Sequence, residues 1–212
     1  MTTKLPVFFQ GVGTTVELAL CTAIFGTLLG IVVALLRMSR VKLLKVLAGA
    51  YIEFLRGTPL LVQVLIVFYG LPQMGVKLPR MTAGTVALVI NSAAYMAEIV
   101  RSGIQAIDGG QTEASRSLGM NGAQTMIYII LPQAIKNILP AIGNEFVSII
   151  KESSILYTIG IYELTYQANK LASTNFRYLE TLTISALIYF VLTFTASRLL
   201  GMLERRMRRG GR

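Results

Sequence analysis

The sequence predicts an all-α membrane protein with five transmembrane helices. Of its 212 residues, 54% are hydrophobic and only 14% charged, with a mean hydropathy of +0.63. Soluble domains carry about 25% charged residues. Five apolar runs approach or exceed the roughly 20 residues that a helix needs to cross a bilayer. The 20 Lys and Arg residues are distributed unevenly about those runs, which gives the bundle a direction.

Residues 14–36 form the clearest run, with Glu17 its one charged residue. Residues 59–76 form a shorter run without charge, entered through Thr58 and Pro59. That pair fits an N-cap followed by a first-turn proline. Residues 81–100 contain Glu98. Residues 138–161 contain Glu145, Lys151 and Glu152. Residues 178–203 contain Glu180 and Arg198. The N-terminal segment does not read as a cleaved signal peptide, because the run behind it is long enough to span and no small-residue cleavage site ends it. Residues 1–212 read as a single membrane domain without an internal repeat.

Thirteen of the 20 basic residues fall on one side. They are Arg37, Arg40, Lys42, Lys45 and Arg56, then Arg101, Arg116 and Lys136, then the tail Arg205, Arg206, Arg208, Arg209 and Arg212. Lys4, Lys77, Arg80, Lys170 and Arg177 fall on the other, while Lys151 and Arg198 lie inside runs. The richer side faces the cytoplasm. The expectation is an N-terminus outside, a C-terminus inside, and the segment around Glu113 inside. The basic residues flank spans and do not form one patch, so the net charge of +10 reads as orientation, not nucleic-acid binding. The basic tail ERRMRRGGR reads as an orientation signal only, or as a short basic end near anionic lipid headgroups.

The moderately polar segment at residues 108–132 stands between two apolar runs. Asp108-Gly109-Gly110 is a breaker cluster. Thr112 is placed to cap a helix with Glu113 in its first turn, where a carboxylate suits the helix dipole. Gly119 can end that helix in a left-handed conformation. Residues from Gln124 onward can start a second helix, with Pro132 marking the next break. Physical signals alone describe a helix-turn-helix hairpin, which an ordinary connector would satisfy.

The run EASRSLGMNGAQTMIYIILP, Glu113 to Pro132, resembles the EAA loop of ABC importer permeases. Glu113, Ala114 and Gly119 match its near end; Ile129, Leu131 and Pro132 match its far end, with Ser115 standing where the pattern has a third alanine. EFLRGTPLLVQ (53–63), INSAAYMAEIVRSGIQAI (90–107) and IKESSILYTIGIYELT (150–165) look like the polar amino acid subfamily, the histidine, glutamine and arginine type. The resemblance implies the type I importer permease architecture in a bacterial cytoplasmic (inner) membrane. It implies that residues 111–118 form a coupling helix through Glu113, Ala114, Ser115, Gly119, Ile129, Leu131 and Pro132. It implies partners: two copies of an ABC ATPase, a second permease subunit as homodimer or heterodimer, an external substrate-binding protein, and a polar amino acid, basic slightly ahead of glutamine.

Charged groups at bilayer depth face a cavity or a partner. Asn91, Tyr95, Glu98 and Ser102 follow a four-three-four spacing on one helical face, bordered by Ser92. Asn144, Ser148, Lys151, Glu152 and Ser153 fall largely on one face, with Glu145 beside them. Two readings stay open for Asn91, Ser92, Tyr95, Glu98, Lys151, Glu152 and Ser153. They line a substrate pathway, or they hydrogen-bond helix to helix. For Glu98 the second reading includes a salt bridge to Arg101. The charged groups alone also fit an ion-coupled secondary carrier or channel.

The chain lacks histidine, so His-based catalysis and His metal sites are excluded. Cys21 is its one cysteine, so no intrachain disulfide forms. There is no phosphate-binding loop and no nucleophile elbow. The expectation is a transport subunit with no cofactor and no metal of its own, ATP and Mg being used by the partner ATPase.

Overall fold

Backbone that crosses lipid must satisfy its own hydrogen bonds, and each apolar run does so as a helix. The computed structural model describes residues 5–209, so Lys4 and Arg212 lie outside the described residues. The helices are α1 (Leu5–Arg37), α2 (Lys42–Gly57), α3 (Leu60–Gln73), α4 (Arg80–Gln105), α5 (Gly109–Ser117), α6 (Gly122–Ile159), α7 (Leu164–Asn175) and α8 (Tyr178–Arg209). Among the described residues there is no strand. α1, α4, α6 and α8 are each long and apolar enough to cross a membrane. α2 and α3 pass the same test only together, as a pair bent by 108°.

The bend falls at Thr58-Pro59, the entry of the expected span over 59–76, which α3 occupies from Leu60 to Gln73. Proline has no N–H to continue α2 and holds the residue before it extended; Thr58 sits at φ −119°, ψ 148°. Thr58 was expected to cap α3. Its hydroxyl instead donates to the Phe54 carbonyl at 2.8 Å, and Pro59 occupies the cap position with no side-chain cap. Gln63, buried on α3, does the joining. Its Nε2 lies 2.8 Å from the Leu55 carbonyl, 3.1 Å from the Thr58 carbonyl and 2.8 Å from Thr58 Oγ1. Its Oε1 accepts from Asn91 Nδ2 of α4 at 2.9 Å. One side chain thus satisfies the end of α2 and ties the bend to α4. Gln63→Leu keeps the bulk and removes every one of these bonds. It is expected to lower stability by about 2 kcal/mol or more, because Asn91 and a buried carbonyl lose partners. Thermal unfolding of the detergent-solubilised protein measures it.

α1 is the hub, packing against α2, α4, α6 and α7. Its closest partner is α4, whose inner face is made of small residues: Ala83, Gly84, Ala87, Ser92, Ala93, Ala94 and Ala97. Small residues let membrane helices approach closely. At Gly30 the approach is tight enough that a Cβ would lie 2.5 Å from Met96 Cβ and 3.0 Å from the Ala93 carbonyl.

The helices extend past the expected spans. α1 starts nine residues before the predicted 14–36. α6 starts at Gly122, sixteen residues before the predicted 138–161, with a π-helical segment at Thr125–Ile130 and a 3₁₀ segment at Ser153–Ile159. At 1.5 Å per residue its 38 residues reach about 57 Å, well past the ~30 Å hydrocarbon core. Hydropathy finds only the part of a helix that lies in lipid.

α7 was not anticipated. Glu163 is fully buried and caps it, accepting from the Thr165 and Tyr166 N–H groups at 2.8 and 2.6 Å. The same carboxylate accepts from Tyr189 Oη of α8 at 2.7 Å, while Leu164 N donates to Thr15 Oγ1 of α1 at 3.2 Å. This network pins α7 between α1 and α8. α8 lies at the periphery: nothing in its most apolar window is buried.

Candidate functional site

The hairpin around Glu113 is built by successive caps. Asp108, not Thr112, caps α5, its carboxylate accepting from Gly110 N at 2.6 Å. α5 therefore begins at Gly109, and Glu113 lies one turn further in than expected. The breaker cluster is the helix start itself, because an Asp ahead of two glycines supplies the acceptor for the first N–H groups. The other end agrees with expectation. Gly119 has φ +87°. Its N–H donates to the Arg116 carbonyl at 3.0 Å and Met120 N–H to the Ser115 carbonyl at 3.1 Å, a Schellman closure. Asn121 and Gln124 then form a reciprocal capping box that starts α6.

Pro132 was expected to break the chain and does not. The π-helical segment Thr125–Ile130 precedes it, and the helix runs on. A π turn shifts the hydrogen-bond register, which accommodates the missing N–H of a proline. Gln133 Nε2 donates to the Ile129 carbonyl at 2.8 Å.

The seven hairpin residues separate into two faces. Ser115 points inward, 4% exposed, against Thr125, 3% exposed. Glu113 and Ala114 are exposed on the outer face, as are Gly119 and Pro132; Ile129 and Leu131 are half-buried. Leu118 joins this face at 84% exposure. A lone leucine before a turn carries no periodicity, and the sequence reading missed it.

The intramembrane residues sort as follows. Asn91 is buried and bonded to Gln63. Ser92 is buried and donates to Glu145 Oε1 of α6 at 3.1 Å, joining the two polar stripes. Tyr95 is half-buried beneath the Arg56 guanidinium, 5.4 Å from the ring centre. Glu98 accepts from Arg101 Nε at 2.8 Å and Nη2 at 2.5 Å, the salt bridge left open by the sequence. Ser153 is fully buried and donates to the Ile150 carbonyl of its own helix at 2.8 Å. Lys151 is exposed and Glu152 half-buried. The structure thus brings Ser92 and Glu145 together and leaves Lys151, Glu152 and Tyr95 with open surface. Gln63 and Arg56 belong to this region and were not among the pathway candidates; Glu145, noted only as lying beside the α6 stripe, belongs to it as well.

Long apolar helices, one span broken, and ionisable groups held at bilayer depth define a multi-pass membrane protein of the transport class. The chain belongs to the family of binding-protein-dependent transport system inner membrane components, which matches residues 26–209. It is 40% identical to the probable amino-acid permease protein YxeN of Bacillus subtilis (strain 168), over 98% of this chain and 94% of that one. It is 40% identical to the arginine transport system permease protein ArtQ of the same organism, over 97% and 94%. A crystal structure of an amino acid ABC transporter with histidines contains a chain 52% identical, with TM-score 0.93 over 97% of this chain and 96% of that one. The inward-facing methionine ABC transporter MetNI matches with TM-score 0.80 at 17% identity, over 98% and 99%, a likeness of fold alone. The fold is the type I ABC importer permease, and the protein is a multi-pass inner-membrane component.

Proposed function

We propose that this chain is the membrane-spanning subunit of an ATP-driven importer of a polar amino acid. Two such subunits enclose the pathway, two copies of a separate ABC ATPase drive it, and an external substrate-binding protein delivers the substrate. The observation that carries this reading is the 52% identity, over nearly the full length, to a chain of an amino acid ABC transporter. The hairpin at residues 109–133 supports the coupling role: it carries a rigid capped helix whose outer face, Glu113, Ala114 and Leu118, is unoccupied within the chain. ATP and Mg are used by the partner ATPase, since this chain has no phosphate-binding loop.

A basic amino acid comes first as substrate and glutamine second. An arginine permease stands among the relatives at 40% identity and a probable glutamine permease of Bacillus subtilis at 42%. Glu145 and Glu152 are seven residues apart on α6, so both carboxylates fall on one face. The experiment for the class is purification in mild detergent from cells carrying the native operon neighbours. An ATPase subunit copurifies in equal number with this chain; a chain that purifies alone and transports on an ion gradient is a carrier instead.

Orientation has its own test. In a Cys21→Ser background, Asn121→Cys is expected to be labelled only from the cytoplasm and Lys77→Cys only from outside. The reverse pattern overturns the N-out arrangement. For the pathway, Glu152→Gln is expected to reduce uptake per folded complex or change substrate preference, with thermal stability nearly retained. A large stability loss with unchanged uptake per folded complex makes Glu152 structural, as expected when a buried charge loses its partner.

A further inference from the structure

Ser115 and Thr125 lie on opposite arms of the hairpin, ten residues apart, and both are buried. Their hydroxyls stand 2.9 Å apart. Ser115 Oγ also donates to the Thr112 carbonyl at 2.9 Å. A serine has one hydroxyl hydrogen. With that hydrogen on Thr112, Thr125 is the donor to Ser115. The bond runs from the first residue of the π-helical segment of α6 into the last turn of α5. A second link lies beside it: Gln133 Nε2 donates to Gln111 Oε1 at 3.3 Å.

We propose that the Thr125–Ser115 hydroxyl pair is a positioning link that makes α5 and α6 move as one body when the ATPase moves α5. The inference rests on the docking role of α5 proposed above. α5 is only nine residues long and joins α6 through a turn at Gly119. A short helix on a turn transmits force only if something fixes its angle to the next helix. The exposed face of α5 is free to receive a partner, and its one buried side chain is Ser115. The link enters α6 at its π segment, where the hydrogen-bond register is already shifted, a feature frequent at functional sites. Motion of α5 is thereby delivered to α6, which carries Glu145, Lys151 and Glu152 further along. In the sequence Ser115 stands where the resembling pattern has an alanine. Here its hydroxyl has a task that alanine could not perform.

The test uses the complete transporter in proteoliposomes and reads three quantities: ATPase subunits bound, ATP hydrolysed, and substrate moved per ATP. Thr125→Val keeps the shape and removes the donor. It is expected to retain bound ATPase while transport per ATP falls about five- to tenfold, the scale of one such bond. Thr125→Ser keeps the hydroxyl and restores the ratio. The double variant Ser115→Ala/Thr125→Val removes both partners, so no polar group is stranded and stability recovers. A purely structural role predicts that coupling recovers with it; the link predicts that it stays low. An unchanged ratio in Thr125→Val, or a recovered ratio in the double variant, overturns the proposal. A double variant that binds no ATPase also overturns it, because link and docking face would then be one. Failure of the docking reading is seen separately: Leu118→Glu would leave ATPase binding intact.

Discussion

Gly119→Val abolishes ATP-driven uptake while the chain still inserts in the membrane. Nothing lies within 4 Å of the Cβ position at Gly119, so a side chain has room. The cost is in the backbone. At φ +87° a β-branched residue is strained by about 1–3 kcal/mol. Relaxing that strain breaks the Schellman closure from Gly119 and Met120 and changes the angle between α5 and α6. Gly119→Asn is expected to retain much of the uptake, because asparagine tolerates the left-handed region. Glu113→Lys approaches the same face from outside: it reverses an exposed charge, and bound ATPase is expected to fall with no change in insertion. Uptake rates and ATPase stoichiometry of the three variants are the readouts. Normal transport by both Gly119→Val and Glu113→Lys would remove the docking assignment.

Gly30→Leu prevents the bundle from assembling. The added Cβ meets Met96 Cβ at 2.5 Å, the Ala93 carbonyl at 3.0 Å and Ala97 N at 3.2 Å. Two of those three atoms are backbone, so no side chain can rotate away and α1 must leave α4. Overpacking costs about 1–3 kcal/mol where side chains can adjust; here the adjustment is separation of the hub helix from its closest partner. Gly13→Leu is the control on the same helix, since nothing lies within 4 Å of its Cβ position. The measurement is the yield of monodisperse protein and its melting temperature. Gly30→Leu is expected to yield almost none, and Gly13→Leu to behave like the parent chain.

The sequence showed where lipid lies and little of how helices bend or continue. Hydropathy located α1, α4, α6 and α8 by their longest apolar runs, and it placed the starts of α1 and α6 nine and sixteen residues late. Thr58-Pro59 read as the start of a helix, which it is, but the 108° angle to α2 was not legible there. Its cause is Gln63, whose role depends on Leu55, Thr58 and Asn91 being brought near it. α7 escaped because its sequence is polar, and its cap is a glutamate held in place by Tyr189 of α8. In the hairpin, Gly119 was legible from conformation alone. Asp108 was hidden by the glycines after it, which read as a break, and Pro132 by a π segment that no local pattern announces. Among the pathway candidates, the shared face of Asn91, Tyr95 and Glu98 followed from spacing. Their partners Gln63, Arg56 and Arg101 could be assigned only for Arg101, which sits one turn away on the same helix.

As proposed, this chain transports only when a separate ATPase drives it through the 109–133 hairpin. Reconstitution in proteoliposomes tests that most directly, with labelled arginine and the external binding protein on one side and ATP supplied to the other. The account predicts uptake that requires ATP, the binding protein and the ATPase subunit together, and that persists when ion gradients are collapsed. Uptake by this chain alone, sustained by an ion gradient and indifferent to ATP, would contradict it.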